Sequence, residues 1–456
     1  DSKDIIEQDL NKAINFLGQN KFSEAELICN EIIKEKDNSD AYHILSSIKL
    51  YKQEFNQSIE LVNKSIEIND DNPGYYVTLG CAHSASKDYK NSIKAFKKAI
   101  SLNDGVAQVH FYLGESYRKL KKYNDAIVSF YRTIELSPDH VAAYMLLGLV
   151  YQEKKQFDLS VQSFKKCIEI MPDYPEAHLN LGLCYLLVGD YENGWREYEW
   201  RKKLTKLPSD NLKKEWTGQS LDNKTLLILH EGNENLLHFI RFAKELHKDN
   251  CKIILQCSNA AMELMANQKW VNEVVSEDSI PDHDYHVHIG SLMKVLQCNP
   301  NNLSQEYPYL ESKNNNFKNI EKDKLNIGLI FETSRESNAH DDESIDQETI
   351  SNIFNDTHNV ICLDEKITKE NLPTLYSEHF NYTDLDELSR FVSSLDLVIT
   401  VDHLVAHLAG ALNVNTILML PCVPNGRWEI THRNTTPWYK SMTIFRQETP
   451  GDWKSV

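Results

Sequence analysis

Two carboxylates, Glu231 and Glu234, lie on either side of a single glycine, Gly232, in the stretch ILHEGNENLLHFIRF, residues 228–242, and the amide Asn235 follows them. An apolar strand pattern precedes this glycine, and a helix-periodic apolar pattern follows it. Strand, tight loop and helix form the arrangement in which α/β proteins bind phosphate against a helix N-terminus. The two acids would oppose an anion, so the stretch predicts a phosphate-type site with altered chemistry.

The bulk composition limits the classes of function. The chain has 456 residues, is 41% apolar and has a formal net charge of −18. The size allows two or three domains, and the charge argues against nucleic acid or an anionic membrane as the main partner. No apolar run approaches the ~18 residues that span a bilayer. We therefore expect no transmembrane segment. A trimmed targeting segment stays open, because the sequence does not begin with Met.

The nine cysteines are scattered without a C-x-x-C pair. This usage predicts reduced thiols in a cytoplasmic protein rather than a disulfide framework or a zinc site. The histidines of HDYHVH, residues 283–288, alternate along a strand pattern without a carboxylate or cysteine at matching spacing, so we expect no metal.

The first half of the chain repeats with a period of about 34 residues. Glycine recurs at the crossing position of each copy, and Pro138 and Pro172 end two of the copies. The pattern resembles the tetratricopeptide (TPR) repeat over residues 39–206, with a weaker copy at 6–38. We therefore expect an α-solenoid over residues 1–206. The glycines are Gly80, Gly114, Gly148 and Gly182.

The TPR resemblance implies a concave groove lined by fixed positions of each first helix. This groove would be a channel for a peptide of a protein partner. The alternative is that its leucines dock on the following domain or belong to the hairpin core. The groove positions are Phe111, Met145, Leu149, Leu179, Leu183 and Leu186.

The second half alternates strand and helix patterns, which predicts parallel sheets. Strands are expected at Thr225–Leu229, Lys252–Gln256 and Tyr285–Ile289, and continuous apolar strands follow in LNIGLIFE, NVICLDE and DLVITV. The predicted fold class is α + α/β, a TPR solenoid followed by a two-lobed Rossmann-like module. The predicted lobes are residues 207–324 and 325–456.

The stretch DLVITVDHLVAHLAGALNVNTILMLP, followed by RW, PWY, FRQ and GDW, resembles the C-terminal unit of bacterial TPR proteins with a heptosyltransferase-type (GT-B) glycosyltransferase domain. TPR-linked flagellin glycosyltransferases share this architecture. The resemblance implies an acceptor-side first lobe, a donor-side second lobe, a nucleotide-sugar donor, and neither a metal nor another cofactor.

The same resemblance implies where the site residues lie. Asn235 stands where the family has its presumed general base, an aspartate, and an amide cannot accept that proton. Glu234 and Glu231 are then the candidates for a displaced base. In the second loop, Asp341 and Glu343 stand where the family has arginines, and Arg335 is the candidate that would compensate.

In the third loop, the implied nucleotide-sugar contacts are Asp402, His403, Leu404 and His407, with Gly232 and Arg427 from other loops. His403 could donate to a phosphate, cap the helix or face solvent, and Arg427 could be functional or structural. Two functions therefore remain open. The chain is either a TPR glycosyltransferase acting on a protein partner, or a non-catalytic TPR adaptor whose GT-B-like module has lost its activity.

Overall fold

The computed structural model describes residues 2–205, 212–246, 250–303, 307–313, 316–331, 345, 353–364, 376–430, 434–454 and 456. It contains an N-terminal series of helical repeats followed by a region of parallel sheets and helices, which confirms the predicted α + α/β class. The chain forms two compact units, residues 1–177 and 178–456.

Twelve helices form the repeats, in pairs with a short turn inside each pair. They are α1 Ser2–Gly18, α2 Phe22–Glu35, α3 Ser39–Tyr51, α4 Phe55–Ile68, α5 Pro73–Ala85, α6 Tyr89–Leu102, α7 Ala107–Lys119, α8 Tyr123–Leu136, α9 Val141–Glu153, α10 Phe157–Ile170, α11 Pro175–Leu187 and α12 Tyr191–Tyr198. The first helices of successive pairs begin 34 residues apart from α3 onward, as the sequence period predicts.

The repeated glycine lets the two helices of a pair approach closely. A Cβ on Gly114 would lie 2.7 Å from the Phe130 ring, and one on Gly148 would lie 2.5 Å from the Phe164 ring. Both phenylalanines are fully buried. No larger side chain fits at these crossings without moving a core aromatic ring.

The first sheet of the second unit consists of five parallel strands in the order β1-β5-β2-β3-β4. They are β1 Lys214–Glu215, β2 Thr225–Leu229, β3 Lys252–Cys257, β4 Glu273–Ser276 and β5 Tyr285–His288. Its helices are α13 Asn233–Leu246, α14 Met262–Ala266 and α15 Leu292–Val295. The chain order reverses between β2 and β5, and α/β folds bind ligands at the carboxyl ends of such strands.

The second sheet consists of six parallel strands in the order β11-β10-β9-β6-β7-β8. They are β6 Leu325–Ile330, β7 His358–Cys362, β8 Glu378–His379, β9 Leu397–Thr400, β10 Thr416–Leu420 and β11 Met442–Arg446. Its helices are α16 Leu385–Val392 and α17 Leu404–Ala411. Here the order reverses between β6 and β9.

The last helical pair belongs to the second compact unit. Leu186 and Trp195 lie in the same apolar core as both sheets, at 2% and 4% exposure. The backbone N–H of Ile430 donates to the carbonyl of Leu187 at 3.0 Å. The repeat pattern therefore extends beyond the division at residues 177/178, whereas the sequence placed the domain boundary at residue 206.

All nine cysteines are free, and eight of them are buried. Burial raises the pKa of Cys29, Cys257 and Cys298 to about 12. Burial also raises the pKa of Cys81 to about 11, with a smaller contribution from Glu115, although Cys81 itself is only half-buried.

Candidate functional site

Glu231 lies just after β2, at the chain reversal of the first sheet, and forms an ion pair with Arg201. The Arg201 Nε and Nη2 atoms donate to the two Glu231 carboxylate oxygens at 3.0 and 2.8 Å. Each side chain is only 9% exposed. This fork-to-fork geometry is the strong form of an arginine–carboxylate pair. The carboxylate that the sequence offered as a displaced base is therefore held by a guanidinium.

Further polar groups complete the arrangement around Arg201. The Gly290 N–H donates to Glu231 Oε2 at 2.8 Å, and Arg201 donates to Ser291 Oγ at 3.1 Å and to Glu199 Oε1 at 3.0 Å. Burial alone lowers the pKa of Arg201, but Glu231, Tyr198 and Glu199 raise it above its usual range. The guanidinium stays charged, and the crevice beside Glu231 is filled from within.

His288, at the end of β5, is a neutral neighbour of this ion pair. Its Nδ1 lies 3.9 Å from Glu231 Oε1, and the residue is 5% exposed. Burial lowers the pKa of His288 to about 4, against a smaller opposing effect of Glu231. At neutral pH the ion pair therefore has an uncharged imidazole beside it.

The other residues of the first loop differ in accessibility. Gly232 is exposed with φ +88°, a backbone conformation that favours glycine. Glu234 lies half-buried in the first turn of α13. The Asn235 amide donates to the Glu231 carbonyl at 2.8 Å, and its Oδ1 accepts from Arg427 Nη2 at 3.2 Å. Asn235 thus joins the first loop to the second lobe.

The third loop, at the start of α17, is capped by its own side chain. His403 Nδ1 accepts from the Val405 N–H at 3.2 Å, and the His403 carbonyl accepts from the Ala406 N–H at 2.9 Å. Asp402 Oδ1 accepts from Trp428 Nε1 at 2.8 Å, while Leu404 is half-buried against the core. His403 thus caps the helix and is buried from solvent, whereas its predicted phosphate contact stays a prediction.

A chain of hydrogen bonds connects the two lobes through Arg427, His407, Tyr439 and His238. Arg427 Nη1 lies 3.3 Å from His407 Nε2, and the Tyr439 hydroxyl lies 2.8 Å from Nδ1 of both His407 and His238. Both histidines are fully buried, and Tyr439 is 1% exposed. The His407 ring stacks on Trp428 with centroids 5.0 Å apart. This bridge places α13 directly against α17.

The bond to arginine fixes the protons along this chain. A guanidinium only donates, so His407 Nε2 must be the unprotonated acceptor, and Nδ1 carries the proton. His407 then donates to Tyr439, Tyr439 donates to His238 Nδ1, and His238 is protonated at Nε2. No described residue accepts from that Nε2. Both imidazoles are neutral in this arrangement.

Arg241 makes a second polar link between the lobes. Its guanidinium donates to the Trp438 carbonyl, and to the hydroxyls of Tyr309 and Tyr307 at 3.0 and 3.2 Å. Burial lowers its pKa, but the surrounding tyrosines raise it, and the net effect is a pKa above the usual value. The region between α13 and α17 is therefore filled by the side chains of the protein itself.

Residues of the second loop lie outside the described residues. Arg335, Asp341 and Glu343 belong to this set, so their predicted roles remain predictions. Arg427 is half-buried between the lobes and bonds to His407 and Asn235. Within the described residues it forms no ion pair with a carboxylate.

The predicted groove residues of the repeats divide into two groups. Phe111, Leu149 and Leu179 are half-buried, whereas Met145 is 9% exposed. Leu183 lies against Gly426 of the second lobe, where an added Cβ would meet it at 3.0 Å, and Leu186 is in the core. Leu183 therefore follows the docking alternative, whereas Leu186 packs on Gly194 of its own hairpin within the shared apolar core, as the hairpin-core alternative describes.

An open depression lies between both helices of one repeat, α5 and α6, and the first helix of the next, α7. Its volume is about 350 Å³. It is lined by Cys81, Ser84, Ala85, Tyr89, Phe96, Tyr112, Glu115 and Lys119. We call this depression the repeat groove. Phe111, the predicted groove residue next to Tyr112, packs instead on Phe130 and His140 at ring distances of 6.0 and 4.8 Å.

Neither metal-ligand clusters nor membrane spans occur in the described parts of the chain. No group of three or more His, Cys, Asp or Glu side chains there is arranged to hold a metal ion. Within the same residues, no helix combines the length and the apolar character needed to cross a bilayer.

Sequence reasoning missed Arg201, His238, Arg241 and Tyr439. One signal for them was present. Asn235, His238 and Arg241 recur at three-residue spacing on an otherwise apolar helix, which places them along one face. Arg201 gave no such signal, because its partner is 30 residues away across a loop.

Comparison with known proteins identifies the repeats. Tetratricopeptide repeat models match residues 73–105, 107–140 and 141–174. No curated protein matches the sequence. The matching models cover the repeats alone.

Solved structures that resemble part of the chain are helical-repeat proteins. MamA ("Crystal structure of MamA") is 23% identical, covers 35% of this chain and 92% of its own, and has a TM-score of 0.34. MamA from Desulfovibrio magneticus RS-1 is 19% identical over 36% of this chain and 92% of its own, with a TM-score of 0.34. YrrB, described as a TPR protein with an unusual peptide-binding site, is 19% identical over 38% of this chain and 89% of its own, with a TM-score of 0.33.

Proposed function

We propose that this chain is a protein-binding adaptor. Its tetratricopeptide repeats bind an extended segment of a partner protein in the repeat groove, and its α/β half is a glycosyltransferase-like module that transfers no sugar. The observation that carries the proposal is the repeat groove itself, an open depression of about 350 Å³ lined by residues of α5, α6 and α7.

The chemistry of the repeat groove supports a peptide ligand. Tyr112 and Ala85 offer apolar surface, and Glu115 and Lys119 offer opposite charges one helical turn apart. Within the described residues, neither of these two charges takes part in an ion pair. A peptide that buries an apolar side chain and pairs with both charges would therefore fit the repeat groove.

The loops of the α/β half support the absence of transfer. Glu231 is neutralised by Arg201, and Asn235 is bonded to Arg427, so neither is arranged to deprotonate an acceptor. The His403 side chain occupies the Val405 N–H in the first turn of α17, one of the N–H groups that could otherwise donate to a donor phosphate.

Selection of a random peptide library on the full-length protein tests the adaptor proposal. Calorimetry then compares selected peptides on wild-type protein and on two matched variants. Ser84→Arg fills the repeat groove, and Ser101→Arg adds the same side chain at an exposed position of α6. We expect at least a tenfold loss of affinity for Ser84→Arg alone. Equal affinity of the two variants, or no enriched peptide, would refute the proposal.

Sugar transfer to the bound partner is the second candidate, and Arg427 is the observation that favours it. A half-buried guanidinium bonded to a histidine and an amide could also receive a phosphate. Calorimetry with CMP-, UDP-, GDP- and ADP-sugars tests this candidate on wild-type protein, Asp402→Ala, Glu234→Gln and the exposed control Asp222→Ala. Binding and turnover that Asp402→Ala or Glu234→Gln abolishes would favour transfer. No binding at millimolar donor would favour the adaptor.

A further inference from the structure

The two lobes meet through buried groups that have room for only one pattern of protons. We propose that the bridge His238–Tyr439–His407 is an acid-sensitive lock, which holds α13 against α17 at neutral pH and releases them when a histidine takes up a proton. The proposal is independent of whether the chain binds a peptide or transfers sugar.

The His407 end of the lock cannot accept a proton in place. Its Nε2 is the acceptor for Arg427 Nη1 at 3.3 Å. A proton at Nε2 would place an imidazolium N–H opposite the Arg427 N–H, so that two donors and two positive charges would face each other. Protonation of His407 therefore breaks the bond to Arg427, and Arg427 is also the residue that holds Asn235 of α13 at 3.2 Å.

The His238 end has the same constraint. Its Nδ1 accepts the Tyr439 hydroxyl proton at 2.8 Å. With a proton on Nδ1, the Tyr439 oxygen would receive two donors, and its own proton would have to turn to the Tyr309 hydroxyl. Tyr309 already accepts from Arg241 and donates to the Leu237 carbonyl, so the hydrogen bonds of the bridge have to rearrange.

The surroundings of His238 are cationic and aromatic. Arg241 lies on the same helix, and Arg427 and His407 approach from the second lobe. Tyr307 and Tyr309 approach from the segment before β6, and Asp402 lies behind the Trp428 ring that stacks on His407. No carboxylate bonds to His238 among the described residues. No anionic group in this set is bonded to His238 to offset the charge of an imidazolium there.

The titration of His238 agrees with this geometry. Burial lowers its pKa well below the usual value, and His407, Arg241 and Arg427 lower it further. Once the lobes separate, the imidazole in water titrates near pH ~6.5. The open state therefore gains a proton below about pH 6.5 that the closed state does not bind. The opening equilibrium then grows by up to about tenfold per pH unit through His238.

Hydrogen exchange of the full-length protein at pH 7.5 and 5.5 tests the lock, after correction for intrinsic exchange chemistry. We expect the protection of α13 and α17 to fall at least tenfold at pH 5.5, while helices α5–α10 stay within twofold. Unchanged protection of α13 and α17, or an equal loss in all helices, would overturn the proposal.

Two substitutions sharpen the test. His238→Asn places an amide oxygen where Nδ1 accepts but does not titrate, and His358→Asn is the control on β7, where His358 accepts from the Asn355 N–H at 3.1 Å. We expect the acid effect on α13 to shrink about tenfold in His238→Asn and to persist in His358→Asn. The same acid effect in both variants would contradict the lock.

The proposal stays testable if His238→Asn does not fold. A wild-type pH series from 7.5 to 4.5 then decides. Loosening of α13 must begin below about pH 6.5 and precede any loss in α5–α10. Loosening that begins together in all helices would overturn the lock.

Discussion

Arg201 joins three parts of the second compact unit through one guanidinium. It follows α12, forms an ion pair with the carboxylate after β2, and bonds to Ser291 before α15. A buried ion pair gives little net stability compared with well-packed apolar residues, but loss of one partner strands the other charge. Replacing Arg201 alone should therefore lower the free energy of unfolding much more than replacing Arg201 and Glu231 together.

The Arg201→Met variant should lower the free energy of unfolding of the α/β region by about 3–5 kcal/mol, because Glu231 would stay charged and buried. Arg201→Met combined with Glu231→Met should recover most of this loss. Denaturant unfolding followed by tryptophan fluorescence measures both. A double variant as unstable as the single one would show that packing, rather than charge, determines the effect.

His288 should make the unfolding of the first lobe pH-dependent. Its folded pKa is about 4, below the value of ~6.5 for an exposed imidazole, so the unfolded state binds more protons between these values. The contribution of neutral His288 to the free energy of unfolding is therefore fully present above about pH 6.5. It falls toward pH 4 by at most on the order of 3 kcal/mol. His288→Gln should flatten this slope. Unfolding curves at pH 4.5, 5.5 and 7 test it, with His358→Asn as the control that should keep the slope.

At the scale of elements, each helical pair is closed by a residue in the left-handed region. Six such turn positions recur 33 or 34 residues apart, and only the last is a glycine. They are Asn20 (φ 58°), Gln53 (63°), Lys87 (64°), Lys121 (57°), Lys155 (58°) and Gly189 (81°). The left-handed conformation costs a residue that has a side chain about 1 kcal/mol or more relative to the right-handed one.

Lys121→Gly should therefore stabilise the repeats by up to about 1 kcal/mol, because glycine adopts φ 57° without strain. Lys122→Gly is the matched control, since Lys122 has φ −83° and gains nothing from glycine. Thermal unfolding followed by helical circular dichroism compares the two variants. A control as stable as Lys121→Gly would exclude backbone strain as the cause.

Sequence patterns predict the longer elements because their burial is periodic. The repeats, the strands β2, β3 and β6, and helix α13 lie where apolar periodicity placed them. The two-residue strands β1 and β8 were missed, because two residues carry no period. The lobe bridge was missed for another reason. His238 and Tyr439 are 201 positions apart, and no single-chain pattern reports such a contact.

At the scale of the molecule, the helical-repeat pattern extends further along the chain than the first compact unit. The repeats continue to Tyr198, whereas the second compact unit begins at His178. Helix α12 and the last turns of α11 thus serve as a layer of the α/β core, through Leu186, Trp195 and Arg201. A division at residue 206, where the sequence pattern placed it, would separate this layer from the core that it covers.

A fragment of residues 172–456 should fold, whereas a fragment of residues 207–456 should expose the apolar face against which Leu186 and Trp195 pack, and aggregate. Size-exclusion chromatography and tryptophan fluorescence of the two fragments measure the difference. Two equally monodisperse, folded fragments would show that α11 and α12 are dispensable for the α/β core.

The Cys81 thiol can serve as a chemical reporter of the repeat groove, because the other cysteines are buried. Eight cysteines are inaccessible to reagents in the folded chain, and Cys81, the half-buried one, lines the repeat groove. Its raised pKa slows alkylation at neutral pH and lets the rate climb as the solution becomes more alkaline. Maleimide modification of the native protein, read by mass spectrometry, would therefore report whether that groove is vacant or occupied, with no engineered label.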